Sequence, residues 1–132
     1  PGRPTVVLDV AHNPHAARAL NDALGGMGYH PNTYAVFGML GDKDIDGVIE
    51  ILKGRFDHWF IAGLDAVTAR GASLESLAKK MAAHGLGERF SRHVSIAHAY
   101  AAARERAAQD DRIVAFGSFY TVAEIAPLRK PT

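Results

Sequence analysis

Short apolar runs and amphipathic helical patterns alternate five times along this chain of 132 residues. The apolar runs, each predicted to be a strand, are one that opens at Thr5, then 33–37, 58–63, 93–95 and 112–116. Such alternation with short connections is typical of a parallel sheet covered by helices. The sequence therefore predicts an α/β, Rossmann-like fold with a mainly parallel sheet of five to six strands and helices on both faces.

Polar residues before each helical pattern predict where the helices begin. Asn13 is expected to cap the first helix and Pro14 to be its first residue, with glycines at 25 and 26 ending it. The apolar residues of the second helix are expected to follow one face over three turns, up to Phe56. The predicted caps of the remaining helices are Ser73, Ser95 and Thr121, and the fourth and fifth helices are predicted to run to Gln109 and Leu128.

The composition excludes several classes of protein. A net charge of +1 gives no electrostatic basis for nucleic-acid binding, and no run is apolar and long enough to span a membrane. The absence of cysteine excludes disulfides and fits a reducing compartment, so we expect a cytoplasmic protein. The chain opens with Pro1-Gly2-Arg3-Pro4 and no methionine, which is typical of a linker. We therefore expect 1–132 to be one domain excised from a longer protein.

Three predicted loops carry the polar side chains best placed for chemistry. Loops 9–13, 38–44 and 117–121 each follow a strand, and right-handed crossovers place such loops at one edge of the sheet. The first loop holds Asp9 and His12, followed by Asn13, at a strand–helix junction whose free N–H groups suit an anion such as phosphate. A carboxylate there can accept from a ribose hydroxyl, and a neutral imidazole can hydrogen-bond a ligand.

Lys43 and Ser118 lie in the other two loops, and alternatives stay open for both. Lys43 can pair with a phosphate or a substrate carboxylate, or it can lie in a solvated turn with Asp44 as the helix cap. The Ser118 hydroxyl can contact a substrate after a small turn at Gly117, whereas a nucleophilic role lacks the Gly-x-Ser-x-Gly pattern. Arg70, after the third strand, can meet a carboxylate but is more simply solvated.

Other kinds of site find less support. Asp9, His12 and His15 are of metal-ligand types, but His15 falls in the helix and Asp9 in the strand, so no protein-ligated metal is predicted. The chain has neither a P-loop pattern nor Gly-x-Gly-x-x-Gly after the first strand. Taken singly, Asp9 and His12 are ordinary turn residues. Their shared position at the strand–helix junction favours a binding site.

Three segments resemble one known family. They are Leu8-Asp9-Val10-Ala11-His12-Asn13-Pro14, Phe37-Gly38-Met39-Leu40-Gly41-Asp42-Lys43-Asp44 and Phe116-Gly117-Ser118-Phe119-Tyr120-Thr121-Val122. In order and spacing they resemble segments of the C-terminal domain of folylpolyglutamate synthase/dihydrofolate synthase, the domain shared with the Mur ligases. The resemblance implies ATP-dependent addition of L-glutamate to dihydropteroate or folylpolyglutamate through an acyl phosphate. It also implies Mg²⁺, with the P-loop and most of the ATP and Mg²⁺ site in an N-terminal ATPase domain that this chain lacks.

The resemblance also implies roles for particular residues. Asp9, Asn13 and Lys43 match positions at the nucleotide, and Ser118 matches the serine of the glutamate pocket. His12 matches a histidine near the reaction centre that is implicated in holding glutamate, so we expect it to be catalytic. The expected partners are ATP, L-glutamate, the folate substrate and the N-terminal ATPase domain of the same chain, but neither nucleic acid nor membrane. We expect a monomer, and an isolated domain without ligase activity.

Two further functions stay open at this point. One is a Mur-type ligase of peptidoglycan precursor synthesis, which keeps the chemistry and changes the substrate. The other is a non-catalytic α/β module that holds a nucleotide or a protein partner, because a fold does not fix a function. A P-loop upstream in the same gene favours either ligase, whereas an unrelated neighbouring domain favours the module.

Overall fold

Five strands form one parallel sheet in the computed structural model, which describes residues 3–129; Pro1 and Gly2 of the predicted linker lie outside the described residues. The strands are β1 Thr5–Asp9, β2 Thr33–Phe37, β3 His58–Ala62, β4 Phe90–His93 and β5 Arg112–Phe116. Their order in the sheet is β1-β5-β2-β3-β4, and every neighbouring pair is parallel. The prediction of an α/β fold with a five-stranded parallel sheet is confirmed.

Helices cover both faces of this sheet, as predicted. The helices are α1 Pro14–Gly25, α2 Ile45–Leu52, α3 Leu74–Ala83, α4 Ile96–Arg106 and α5 Phe119–Ile125, with a 3₁₀ turn at Ala126–Arg129. Buried residues of α1, α2 and α3 form one hydrophobic cluster with one face of the sheet, and those of α4 and α5 form a second cluster with the other face. No helix within residues 3–129 is long and apolar enough to cross a membrane.

Aromatic side chains fill the layer between the sheet and the first three helices. The Phe37 and Trp59 rings meet edge to face at 5.3 Å between centroids, and Phe56 stacks on Phe116 at 5.5 Å. All four residues are buried, at 2% exposure or less. Because burial of a large apolar side chain contributes roughly 1.5–3 kcal/mol, this cluster is a principal source of stability for the sheet.

The helix ends differ from the sequence predictions at three places. α2 ends at Leu52, and Phe56 reaches the core from the turn that follows instead of from the helix. α4 ends at Arg106 instead of Gln109, because the chain becomes extended at Ala107 before entering β5. α5 ends at Ile125, and a 3₁₀ turn continues the chain toward Arg129.

β4 and the start of α5 correct two further predictions. The fourth strand is Phe90–His93 instead of 93–95, since Val94 is exposed and Ser95 already caps α4. The cap of α5 is Ser118, whose side chain accepts the Thr121 main-chain N–H at 3.2 Å, so Thr121 is not the cap. The caps predicted at Asn13, Ser73 and Ser95 are confirmed.

The strand order places a crevice at the carboxyl edge of the sheet. The chain runs from β1 past β5 to β2, β3 and β4, and then returns over the opposite face through α4 to β5. The loops that follow β1, β5 and β2 therefore lie side by side at that edge, and a reversal of this kind is where α/β sheets bind ligands.

Candidate functional site

Four loops meet at the carboxyl edge of the sheet and enclose a cleft of about 260 Å³. Its lining residues are His12, Leu40, Lys43, Arg70, Ser118, Phe119 and Tyr120. The predicted convergence of the loops after β1, β2 and β5 is thus observed, and the loop after β3 joins them. His12, Lys43 and Ser118 line one cleft, whereas Asp9, the last residue of β1, and Asn13, the cap of α1, are not among its lining residues.

The turn between β1 and α1 is held by its own polar side chains. The Asp9 carboxylate accepts the Ala11 N–H through Oδ1 at 2.8 Å, and the Asn13 Oδ1 caps α1 by accepting the Ala16 N–H at 2.8 Å. Asp9 Oδ2 has no hydrogen-bond partner among residues 3–129. Half of the Asp9 carboxylate therefore shapes the turn, and the other oxygen is available to a ligand.

His12 projects from this turn with its ring orientation fixed. Its Nδ1 lies 2.9 Å from the carbonyl oxygen of Val10. A carbonyl only accepts hydrogen bonds, so Nδ1 carries the proton. In the neutral ring Nε2 is then an acceptor, and it has no partner in the part of the chain that the structure describes. His12 consequently offers a free basic nitrogen at the cleft.

The turn between β5 and α5 positions Ser118. Gly117 has a φ of +117°, and a side chain on it would overlap the carbonyl oxygen of Gly38. The Ser118 side chain caps α5, and Thr121 Oγ1 donates to Gly38 O at 2.9 Å, which joins this turn to the end of β2. Ser118 is 2% exposed, so its hydroxyl forms the floor of the cleft and remains near the helix N-terminus.

Charged residues reach the cleft from the loops after β2 and β3. Asp44 caps α2 by accepting the Gly47 N–H at 2.9 Å, so the predicted alternative with Asp44 as the helix cap is observed. The adjacent Lys43 lines the cleft. Arg70 Nε donates to Asp42 Oδ2 at 2.9 Å, and this bond lowers the pKa of the Asp42 carboxyl. Arg70 is thus paired with a carboxylate of the chain itself, and its side chain is still 55% exposed, in agreement with the simpler prediction that it is solvated.

Phe119 and Tyr120 are lining residues that the sequence analysis missed. They occupy the first turn of α5, and Phe119 is 71% and Tyr120 38% exposed. Two consecutive aromatic residues directly after the glycine–serine pair are the sequence signal that could have identified them. Together with Leu40 they give the cleft an apolar surface beside its charged and polar groups.

The electrostatics of the cleft favour an anionic ligand. Lys43 and Arg70 contribute two positive charges to its lining, while Asp42 neutralises part of the second. Within residues 3–129 no three His, Asp or Glu side chains come together as a metal-binding group. The positive charges therefore suit the carboxylate or phosphate groups of an anionic ligand. These residues do not form a Mg²⁺ site by themselves.

Comparison with known proteins identifies the family. Residues 1–119 match the family model described as "Mur ligase, glutamate ligase domain". The chain belongs to this Mur ligase domain family. The resemblance drawn from three short segments is thereby confirmed over most of the chain.

Relatives of this Mur ligase domain carry a consistent name. The dihydrofolate synthase/folylpolyglutamate synthase of Escherichia coli K12 is 40% identical over 122 residues, which is 92% of this chain and 27% of that protein. The protein of the same name from Haemophilus influenzae is 37% identical over 123 residues, again 92% of this chain and 28% of its own length. The chain therefore spans less than a third of the length of these relatives.

Solved structures resemble the Mur ligase domain described here along most of its length. Escherichia coli FolC in complex with ADP, without folate substrate, has a TM-score of 0.83 at 38% identity, over 93% of this chain and 28% of that one. A bifunctional folylpolyglutamate synthase/dihydrofolate synthase with Mn, AMPPNP and L-glutamate bound has a TM-score of 0.83 at 38% identity. The match covers 96% of this chain and 29% of that one. Both similarities support the parallel α/β assignment.

Proposed function

We propose that this chain is the glutamate-binding lid of an ATP-dependent amide ligase that adds L-glutamate to dihydropteroate or to folylpolyglutamate. The longer enzyme would include an N-terminal ATPase domain with the P-loop and the Mg²⁺ ligands. The family membership and the named relatives support this proposal. The observation that carries it is the single cleft that collects His12, Lys43, Arg70 and Ser118 from four loops.

The polar groups of the cleft suit the reactants of an amide ligase. L-Glutamate has two carboxylates and an amine, and the nucleotide has phosphates; the cleft has two cations, a hydroxyl and the free His12 Nε2 for these groups. Lys43 is proposed to contact the nucleotide, together with Asp9 through its free Oδ2 and Asn13 through its amide nitrogen. Ser118 is proposed to hydrogen-bond the amino acid from the floor of the cleft.

His12 is proposed as the base for the incoming amine. ATP, when bound, supplies the phosphoryl group that activates the substrate carboxylate. The glutamate nitrogen then bonds to the acyl carbon, phosphate leaves with the oxygen that carried it, and the proton released from nitrogen passes to His12 Nε2. The hydrogen bond from Nδ1 to Val10 holds the ring in the tautomer that can accept this proton.

Closure of this domain over the ATPase domain is proposed to protect the activated carboxylate. An acyl phosphate open to water would hydrolyse, and a closing domain excludes water and positions both reactants. The exposed Phe119 and Tyr120 provide an apolar surface beside the cleft for such a contact. We further propose that the enzyme is a monomer and that it is cytoplasmic; the absence of cysteine from this chain fits a reducing compartment.

The proposal is tested with the complete gene product in an assay of ADP formation. We expect ADP formation to require L-glutamate together with dihydropteroate or a folate. ADP formation with a peptidoglycan precursor instead would assign the enzyme to cell-wall synthesis. If no acceptor supports ADP formation, the chain would be assigned to the alternative of a non-catalytic binding module. The Ser118→Ala variant is expected to raise the KM for L-glutamate and leave the KM for ATP unchanged.

A further inference from the structure

The main chain around Arg70 is fixed against the loop that carries Lys43. The Gly41 N–H donates to Arg70 O at 2.7 Å, and the Ala72 N–H donates to the carbonyl oxygen of Met39 at 2.9 Å. Gly71, between Arg70 and Ala72, has no space for a side chain, because a Cβ there would overlap the main chain of Leu64 and Asp65 in the loop between β3 and α3. Arg70 therefore starts from a well-defined position at the rim of the cleft.

The Arg70 side chain is oriented by Asp42 and keeps part of its hydrogen-bonding capacity unused. Asp42 takes the Nε–H at 2.9 Å, and both side chains are about half exposed, at 55% and 52%. Neither Nη1 nor Nη2 of Arg70 has a hydrogen-bond partner among residues 3–129. An exposed ion pair of this kind adds little to stability, so stability does not account for the arrangement.

The strand order determines which end of the cleft Arg70 occupies. His12, Ser118, Lys43 and Arg70 follow β1, β5, β2 and β3, which is also the order of those strands across the sheet. Since neighbouring strands lie about 4.8 Å apart, the ends of β1 and β3 are separated by roughly 14 Å. The side chains of His12 and Arg70 extend across part of this distance, so that both line the same cleft.

We propose that Arg70 binds the side-chain carboxylate of the incoming L-glutamate, and that Asp42 is the positioning residue that holds its guanidinium. This inference rests on the proposed function, which places the amine of glutamate at His12. The opposite end of the amino acid, its side-chain carboxylate, then lies toward Arg70.

The chemistry of the guanidinium explains the resulting selectivity. A carboxylate can accept two parallel N–H bonds from the free Nη groups, and the charge of Arg70 strengthens both. The side-chain amide of glutamine has one oxygen and no charge, so it forms a weaker contact in the same place. Arg70 consequently sets a preference for an acidic amino acid over its amide.

The test compares L-glutamate and L-glutamine as substrates of the complete enzyme. We expect Arg70→Gln to raise the KM for L-glutamate about 10- to 100-fold, with a small effect on kcat and none on the KM for ATP. The ratio of kcat/KM for glutamate to that for glutamine should fall by at least about tenfold. Arg70→Lys keeps the positive charge and loses the paired N–H groups, so its KM for L-glutamate should lie between those of the wild type and Arg70→Gln. Arg89→Gln removes the same charge at the amino edge of the sheet and is the matched control.

Asp42 is tested in the same assay. Asp42→Asn should raise the KM for L-glutamate with kcat nearly unchanged, and Asp42→Glu should restore part of the loss. An unchanged KM for glutamate in Arg70→Gln would overturn the inference. An equal fall in kcat/KM for glutamate and for glutamine, or a rise in the KM for ATP, would overturn it as well. A wild-type enzyme with no glutamate-dependent ADP formation would overturn the proposed function and this inference together.

Discussion

Thr121 Oγ1 donates a hydrogen bond of 2.9 Å to the carbonyl oxygen of Gly38, and both residues are buried. This bond connects the first turn of α5 to the end of β2, although the two residues are 83 positions apart. It lies directly below the cleft, with Ser118 on one side and the loop leading to Lys43 on the other. One hydroxyl group therefore links two of the site loops, in addition to the pairing of β2 with β5.

Replacement of Thr121 by valine should uncouple these loops. Thr121→Val keeps the shape of the side chain and leaves a buried carbonyl oxygen without its partner, which should lower the free energy of unfolding by about 1–3 kcal/mol. Thr121→Ser keeps the hydroxyl and loses one methyl group, at a cost of ~1 kcal/mol. Urea unfolding of the two variants measures the difference. Equal stability of the two would show that the bond to Gly38 contributes nothing.

Alanine at Gly117 should be more harmful than alanine at another glycine with positive φ. Gly28 has a φ of +89° and nothing within 4 Å of an added Cβ, so Gly28→Ala should cost about 1–2 kcal/mol from backbone strain. Gly117→Ala adds an overlap with the Gly38 carbonyl, worth roughly 1–3 kcal/mol more, and displaces Ser118. Thermal unfolding of both variants measures the difference in stability, and the KM for glutamate of the complete enzyme measures the displacement of Ser118. A smaller loss at Gly117 than at Gly28 contradicts the described turn.

His58 and His93 should make stability depend on pH. Both contact Phe60, on the face of the sheet that α4 and α5 cover. Ser91 Oγ lies 3.0 Å from His58 Nε2 and 2.7 Å from His93 Nε2. Burial, followed by the charges of Arg106 and His93, holds the pKa of His58 below its ordinary 6.5. Burial, followed by the charge of His98, likewise lowers the pKa of His93.

The sign of the effect follows from these lowered values. Just below pH 6.5 the unfolded chain binds more protons at these histidines than the folded chain, so stability is complete above that pH and decreases as the pH falls below it. The carboxyl groups with lowered pKa, such as Asp46 beside Lys80 and Glu50 beside Lys53, affect stability only near and below their ordinary pKa values of 3.8 and 4.5. A comparison between pH 7 and pH 5.5 therefore isolates the histidines.

The measurement is the urea midpoint at pH 7 and pH 5.5. We expect the wild-type midpoint to fall at the lower pH, and the fall to shrink in His58→Gln and His93→Gln, which keep a polar group for Ser91. His15→Gln, on the exposed side of α1, should show the wild-type fall. An undiminished fall in both strand variants would assign the pH dependence to other groups.

The parts of the fold that depend on local pattern were predictable from the sequence. The caps Asn13 and Ser73 satisfy main-chain N–H groups three residues away, so the sequence alone contains the interaction. β4 was misplaced because its residues alternate without a strong apolar run. Its strand conformation depends on pairing with β3, as in the register of Phe90 with Trp59, and that pairing is a property of the tertiary structure.

The site was predictable where topology determines it and unpredictable where a loop folds back. Lys43 and Ser118 reach the cleft because parallel strands end at one edge. Arg70 reaches it because an isolated antiparallel bridge joins Leu40 to Gly71, and no local pattern signals such a bridge. Ser118 and not Thr121 is the cap of α5 because the helix already begins at Phe119, directly after the turn at Gly117.

His12 provides the test of the central claim that the amino acid reacts at this cleft. His12→Asn can still donate to Val10 O in place of Nδ1, and it lacks the Nε2 that is proposed to accept the proton. His12→Gln retains an amide near the Nε2 position but cannot take a proton. In both variants the domain should keep its thermal midpoint, because the side chain is partly exposed and outside the core.

The most direct measurement is kcat for glutamate-dependent ADP formation by the complete enzyme carrying His12→Asn. We predict a fall of about 10²- to 10⁴-fold, the usual contribution of a general base, with an unchanged KM for ATP. A kcat equal to that of the wild type would contradict the account.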